Sequence, residues 1–93
     1  MNLELTCKAK KWADELASED TLEHESDLSS QGENLAKATT SGRPWKFAPE
    51  EWWYDDEFSN YDFSEGGQAD GTDGPYKHMT QMIWDKSHAI GCA

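Results

Sequence analysis

Residues 76–92 read YKHMTQMIWDKSHAIGC, and this stretch decides how the rest of the chain is read. The apolar Met79, Met82 and Ile83 recur at helical spacing, so a helical turn is predicted there, carrying His78, Thr80, Gln81 and Trp84. Such a turn holds a histidine rigidly. Lys86, Ser87 and His88 break the pattern, and Ala89, Ile90 and Cys92 then predict a short strand interrupted by Gly91. The segment reads as helix, turn, strand.

A chain of 93 residues suffices for one domain over residues 1–93, and at this size only about 60 to 65% of the unfolded surface is buried. The core is therefore expected to be thin. The formal charge of −11 and the pI near 4.4 argue against binding nucleic acid or an anionic membrane by charge, because both need a basic face. Cationic partners or divalent metals suit it better, although the 19 acidic side chains are scattered in a way that also serves solubility alone. No apolar run approaches the length of a membrane span, and residues 1–20 lack the uninterrupted apolar core of a signal peptide.

Upstream, Leu5, Ala9, Trp12, Ala13, Leu16 and Ala17 fall on one face of a helix, with no strong capping signal at its start. Residues 18–30 are polar and acidic and carry His24. Its neighbour Glu25 invites a zincin reading, but HExxH needs histidine where Leu28 stands, so locally His24 reads as a surface histidine. Gly32 permits a tight backbone approach before Glu33, Asn34, Leu35 and Ala36; Glu33 reads equally as a solvated carboxylate or a site residue. Residues 38–47 are a loop by composition.

Pro49, Glu50 and Glu51 start a second helix, expected over about residues 49–61. At 100° per residue Trp53, Tyr54, Phe58 and Tyr61 form an aromatic stripe with Glu57 in its middle, while Asp55 and Asp56 point away. A carboxylate on that side must be hydrogen-bonded, paired with a histidine, or at the rim of a wet cleft, because burial without a partner costs several kcal/mol. Residues 64–75, with Gly66, Gly67, Gly71 and Gly74, read as a flexible loop leading to His78, and their Asp-Gly-Thr-Asp-Gly run lacks the alternating carboxylates of an EF-hand. Cys7 and Cys92 can staple the domain if they meet in space, but no spacing rule links them and two free thiols are the more economical reading. Ser87 and His88, adjacent in sequence, are not thereby placed as nucleophile and base.

Three stretches together resemble the CAP superfamily of cysteine-rich secretory, antigen 5 and pathogenesis-related class 1 proteins. His78, Thr80, Gln81, Met82, Ile83, Trp84 and Ser87 follow one signature, with Lys77 and Met79 departing from it. Leu22, Glu23 and His24 match a leucine, a variable residue and a histidine after the first helix, with Glu25 departing; Gly32, Glu33 and Asn34 followed by Leu35 match a third. The family also places a glutamate after Trp-Tyr in its next helix. Here Glu57 lies one residue further from Trp53 than usual, so Asp56 is its rival; the wheel and the following Asn60, Tyr61, Asp62 and Phe63 favour Glu57.

The resemblance implies an α+β domain, a three-layer α-β-α sandwich, and for Leu35, Ala36 and Ala38, which by themselves suit a sheet or a short helix, it favours strand. It also implies that His24, Glu33, Glu57 and His78 line an acidic cleft as a tetrad, supported by Asn34 and Gln81. His24 and His78 would hold zinc or another divalent cation weakly, with water completing the shell. The family's first helix usually begins earlier and its fold continues into further strands, so the chain resembles the middle of such a domain or an abridged one, incomplete at both ends, with open sheet edges that invite a homodimer. The family often pairs a cysteine at the Gly-Cys-Ala position with one downstream; with none downstream here, Cys7 and Cys92 are expected as free thiols.

Three function classes follow. The leading one is a secreted, non-enzymatic binding module for a lipid, a sterol or a protein receptor, with Trp45, Trp52 and Trp53 as core packing and cleft lining or as a lipid platform. The second is a metal-assisted hydrolase in which Glu33 or Glu57 serves as base. The third is a structural or interaction protein. The resemblance places the protein outside the cell, while the missing signal peptide leaves a cytoplasmic or Golgi-associated form open.

Overall fold

The computed structural model describes residues 1–38, 42 and 46–93. The chain falls into two compact units, Met1–Lys37 with Asp85–Ala93, and Ala38–Trp84. Each is described by itself.

The first unit is built on α1, Leu3–Glu19. Contrary to the weak cap expected, the Asn2 side chain accepts the Leu5 N–H at 3.0 Å and satisfies one of the unpaired donors of the first turn. At the other end Asp20 adopts the left-handed conformation (φ 52°), and N–H groups beyond the helix return to the carbonyls of Ala17 and Leu16. The face expected to be apolar is the inner one: Leu5, Ala9, Trp12 and Ala13 are half-buried and Leu16 is buried. The strands expected over residues 35–38 and 89–92 do not form; both stretches are irregular, because neither finds a neighbouring strand among the described residues to complete a ladder.

The second unit runs from a π-helix, Ala48–Asp55, directly into a single turn α2, Asp56–Phe58. The expected helix is thus shorter than residues 49–61 and wider at its start. Tyr61, assigned to that helix by its spacing, lies instead in β1, Tyr61–Asp62, which pairs antiparallel with β2, Gly67–Gln68; Tyr61 faces Gln68 and Asp62 faces Gly67. The first part of the connection read as a flexible loop over residues 64–75 therefore closes a hairpin, while residues 69–75 have no helix or strand. One oxygen of Asp62 accepts the N–H of Ser64 (2.8 Å), the hydroxyl of Ser64 (2.7 Å) and the N–H of Glu65 (3.1 Å), and Gly66 turns the chain at φ 76°. Beyond the hairpin Asn60 and Gln68 bind the carbonyls of Pro75 and Gly74, which leads the chain into α3, Lys77–Met82.

The core is as thin as the length predicts. Among the described residues only Leu16 in the first unit and Met79 in the second are buried apolar side chains, and one charged residue, Glu57 of the second unit, is buried as well. Of the apolar positions on the predicted His78 helix, Met79 is fully buried, whereas Met82, Ile83 and Trp84 are exposed. No described helix is long and apolar enough to cross a membrane. Elements of both classes, helix and paired strand, make this a mixed α and β chain.

Candidate functional site

In the first unit the site begins on α1. Trp12 donates its indole Nε1–H to the carbonyl of Glu23 at 2.9 Å, pinning the residue before His24 to the helix. The chain then reverses at residues 28–31, where the Gln31 N–H meets the Leu28 carbonyl at 2.9 Å and Ser29 and Ser30 take φ values of 48° and 68°. Left-handed backbone at two serines costs on the order of 1–3 kcal/mol each, so the rest of the loop must over-determine it. The reversal returns Glu33 to His24. Its Oε1 lies 2.6 Å from His24 Nδ1 and also accepts the N–H of Glu25 at 3.1 Å. The His24 side chain is 64% exposed and that of Glu33 only 13%, so an open imidazole stands over a largely covered carboxylate.

The second unit repeats the pairing with the burial deepened. Glu57 is 2% exposed, and its carboxylate accepts three donors: the N–H groups of His78 (3.0 Å) and Met79 (3.1 Å) on Oε1, and His78 Nδ1 (2.7 Å) on Oε2. Trp53 stacks on the imidazole from the other side, with ring centroids 5.7 Å apart and planes 9° from parallel. His78 is thereby held in position and in plane.

The rivalry between Asp56 and Glu57 is resolved by helix geometry. The Asp56 N–H bonds to the carbonyl of Glu51, an i to i+5 closure that takes in one more residue than an α-turn. That wider turn absorbs the extra residue between Trp53 and Glu57, so Glu57 is buried against His78 and Asp56 remains exposed. The same widening misaligns a wheel drawn at α-helical pitch, and the aromatic stripe it predicted is not buried as one: Tyr54 and Phe58 are exposed and Trp53 half-buried. Asn34 and Gln81, expected in support, are both half-buried, Asn34 beside Glu33 and Gln81 on α3. Trp45 lies outside the described residues.

Sequence reasoning missed Trp12 and Trp53 as partners of the two histidine segments. Both sat in apolar stripes, and nothing in their spacing distinguishes a core tryptophan from one that anchors a site. Cys7 and Cys92 are free and exposed.

Both pairs share one chemistry. A carboxylate only accepts, so in the neutral imidazole Nδ1 carries the proton and Nε2 carries the lone pair, the tautomer that a metal-binding histidine uses. Among the described residues no group of three or more His, Cys, Asp or Glu side chains could hold a metal ion.

A family model described as the cysteine-rich secretory protein family, CAP, matches residues 1–93, the whole chain. No solved structure matches it.

Proposed function

The chain belongs to the cysteine-rich secretory protein (CAP) family, and we propose that it is a secreted, non-enzymatic binding module for a lipid or sterol that also holds a divalent cation weakly. In this reading the domain has the three-layer α-β-α architecture of the family, with one His–Glu pair in each unit, His24 with Glu33 and His78 with Glu57.

The observation that carries the reading is the state of Glu57. Three donors engage both oxygens of a carboxylate that is buried beneath the imidazole it orients, which suits a group that positions its partner more than one that takes a proton from substrate. A hydrolase would need that group, or Glu33, available to take a proton; Glu33 is likewise engaged by His24 and by the N–H of Glu25. Both glutamates serve as positioning residues. The apolar ligand is supported by Met82, Ile83 and Trp84, which are 43%, 46% and 57% exposed at the end of α3 and so form a contiguous apolar run open to solvent.

Native mass spectrometry of the purified protein, followed by titration with a sterol and a long-chain fatty acid, tests the ligand. Stoichiometric uptake that weakens in Trp84→Ala is expected; no uptake of either overturns the lipid reading and leaves a protein receptor. Calorimetric titration tests the metal. Zinc or copper should bind in preference to calcium or magnesium, more weakly than at a four-ligand site, and the binding should fade in mildly acidic solution because a protonated imidazole has no lone pair to give. Binding that survives the double change His24→Ala and His78→Ala would remove the metal site.

A further inference from the structure

The hairpin of the second unit and the helical run before it carry a chain of aromatic rings that the histidine pairs do not use. Tyr54 packs on Phe58 with ring centroids 5.4 Å apart, Phe58 on Phe63 at 5.4 Å, Phe63 on Tyr61 at 5.0 Å and Tyr61 on Tyr76 at 5.3 Å. Its inner end is anchored, with Tyr61 and Tyr76 half-buried. Its outer end is open: Tyr54, Phe58 and Phe63 are 40%, 45% and 56% exposed. The planes of Tyr54 and Phe58 are 43° apart and those of Phe58 and Phe63 45°, so these rings do not cover one another's faces as a parallel stack would.

Adjoining aromatic side chains open to water mark an interaction surface, and the charges around them decide what it takes. No lysine or arginine occurs between Phe47 and Tyr76. Asp55 and Asp56 stand between Tyr54 and Phe58 in the chain, and Glu65 stands two residues beyond Phe63; all three are exposed. Their field reaches the rings, since salt screens charges only beyond about 8 Å. It repels an anionic membrane, and a second copy docked face to face would bring the same negative charges against it.

A guanidinium meets both demands. It is drawn by the carboxylates, and its plane stacks on an aromatic ring within about 6 Å of the centroid. We propose that Tyr54, Phe58 and Phe63 form a docking surface for an arginine-rich segment of a protein partner, held by cation–π stacking in this acidic field. Alternate side chains of an extended peptide lie on one side about 6.6 Å apart. Successive rings stand 5.4 Å apart, so arginines at every second position reach neighbouring rings.

Calorimetric titration of the full chain with a synthetic peptide of alternating arginine and serine tests this. Binding is expected at low salt and should weaken as salt rises. Phe58→Leu and Phe63→Leu keep apolar bulk at exposed positions but remove the ring, and each should weaken binding by about two- to fivefold. A lysine and serine peptide of equal charge should bind the wild-type chain more weakly, a comparison that needs no variant. No binding of the arginine peptide at low salt would overturn the proposal. Equal binding of the two peptides, or binding undiminished when both phenylalanines are replaced, would overturn it too, because net charge alone would then account for the attraction. If the face instead holds phosphatidylcholine vesicles, or joins two copies in sedimentation, and the double variant loses that behaviour, the surface belongs to a lipid or to a second copy and the arginine assignment fails.

Discussion

Glu57 is joined to His78 twice, through the backbone N–H at 3.0 Å and through the ring Nδ1 at 2.7 Å. One side chain thus sets both where α3 begins and which imidazole nitrogen keeps its lone pair.

That double role predicts an asymmetry between neighbours. Glu57→Gln retains the shape but presents an amide N–H2 where an acceptor is needed, so one buried donor loses its partner and stability should fall by about 1–3 kcal/mol. Asp56→Asn, at an exposed position, should stay within about 0.5 kcal/mol of wild type. Urea denaturation of the two variants measures the difference, and a more damaging Asp56→Asn would mean that the register through the π-helix is wrong.

The pair in the first unit should behave differently, because the His24 side chain is 64% exposed. Glu33→Gln is expected to cost no more than about 1 kcal/mol through His24, since solvent can replace the lost partner. Its effect belongs in the tautomer: nitrogen NMR of the imidazole should show Nδ1–H dominant in wild type and a mixture in the variant.

Gly91→Ala should destabilise the chain by about 1–3 kcal/mol, because the new methyl would meet helix backbone, which cannot swing aside as a side chain can. Gly67→Ala is the control, with nothing within 4 Å of the added carbon. Thermal unfolding of both should separate them clearly.

The Asp62 carboxyl is held below the usual aspartate range, chiefly by the Ser64 hydroxyl and then by the N–H groups of Glu65 and Ser64. The folded hairpin therefore favours the ionised form more than the unfolded chain does. Its contribution to stability is present above the ordinary aspartate range and is lost as pH falls through the lower folded value. Asp62→Asn should flatten the acid limb of the stability profile and leave the neutral region nearly parallel to wild type.

The helix on residues 3–19 was legible in the sequence because apolar periodicity over several turns is a local property that tertiary packing reinforces. His24, Glu33 and His78 were singled out for a different reason: the spacing of polar residues within three short motifs resembled one family, and the whole-chain match to that family bears out the resemblance, whereas Glu57 was chosen from its place on the helix wheel and the residues that follow it. The expected strands failed where the helix succeeded. A helix satisfies its backbone from within one segment, whereas a strand exists only beside another strand, and the segments at residues 35–38 and 89–92 have no such neighbour among the described residues.

What the sequence by itself determined, then, was the amphipathic α1, the helical setting of His78 and the residue types of the site. Tertiary structure alone decided that a π-turn carries Glu57, which the sequence favoured over Asp56, onto His78, that Trp12 and Trp53 are the residues that hold the two histidine segments, and that residues 61–68 form a hairpin. The physical reason is common to all three. Each depends on which groups arrive at a given point after the chain has turned, through a π-turn, a left-handed pair of serines or an aspartate-bound loop, and those turns change the angular and axial register that a periodic reading of the sequence takes as constant.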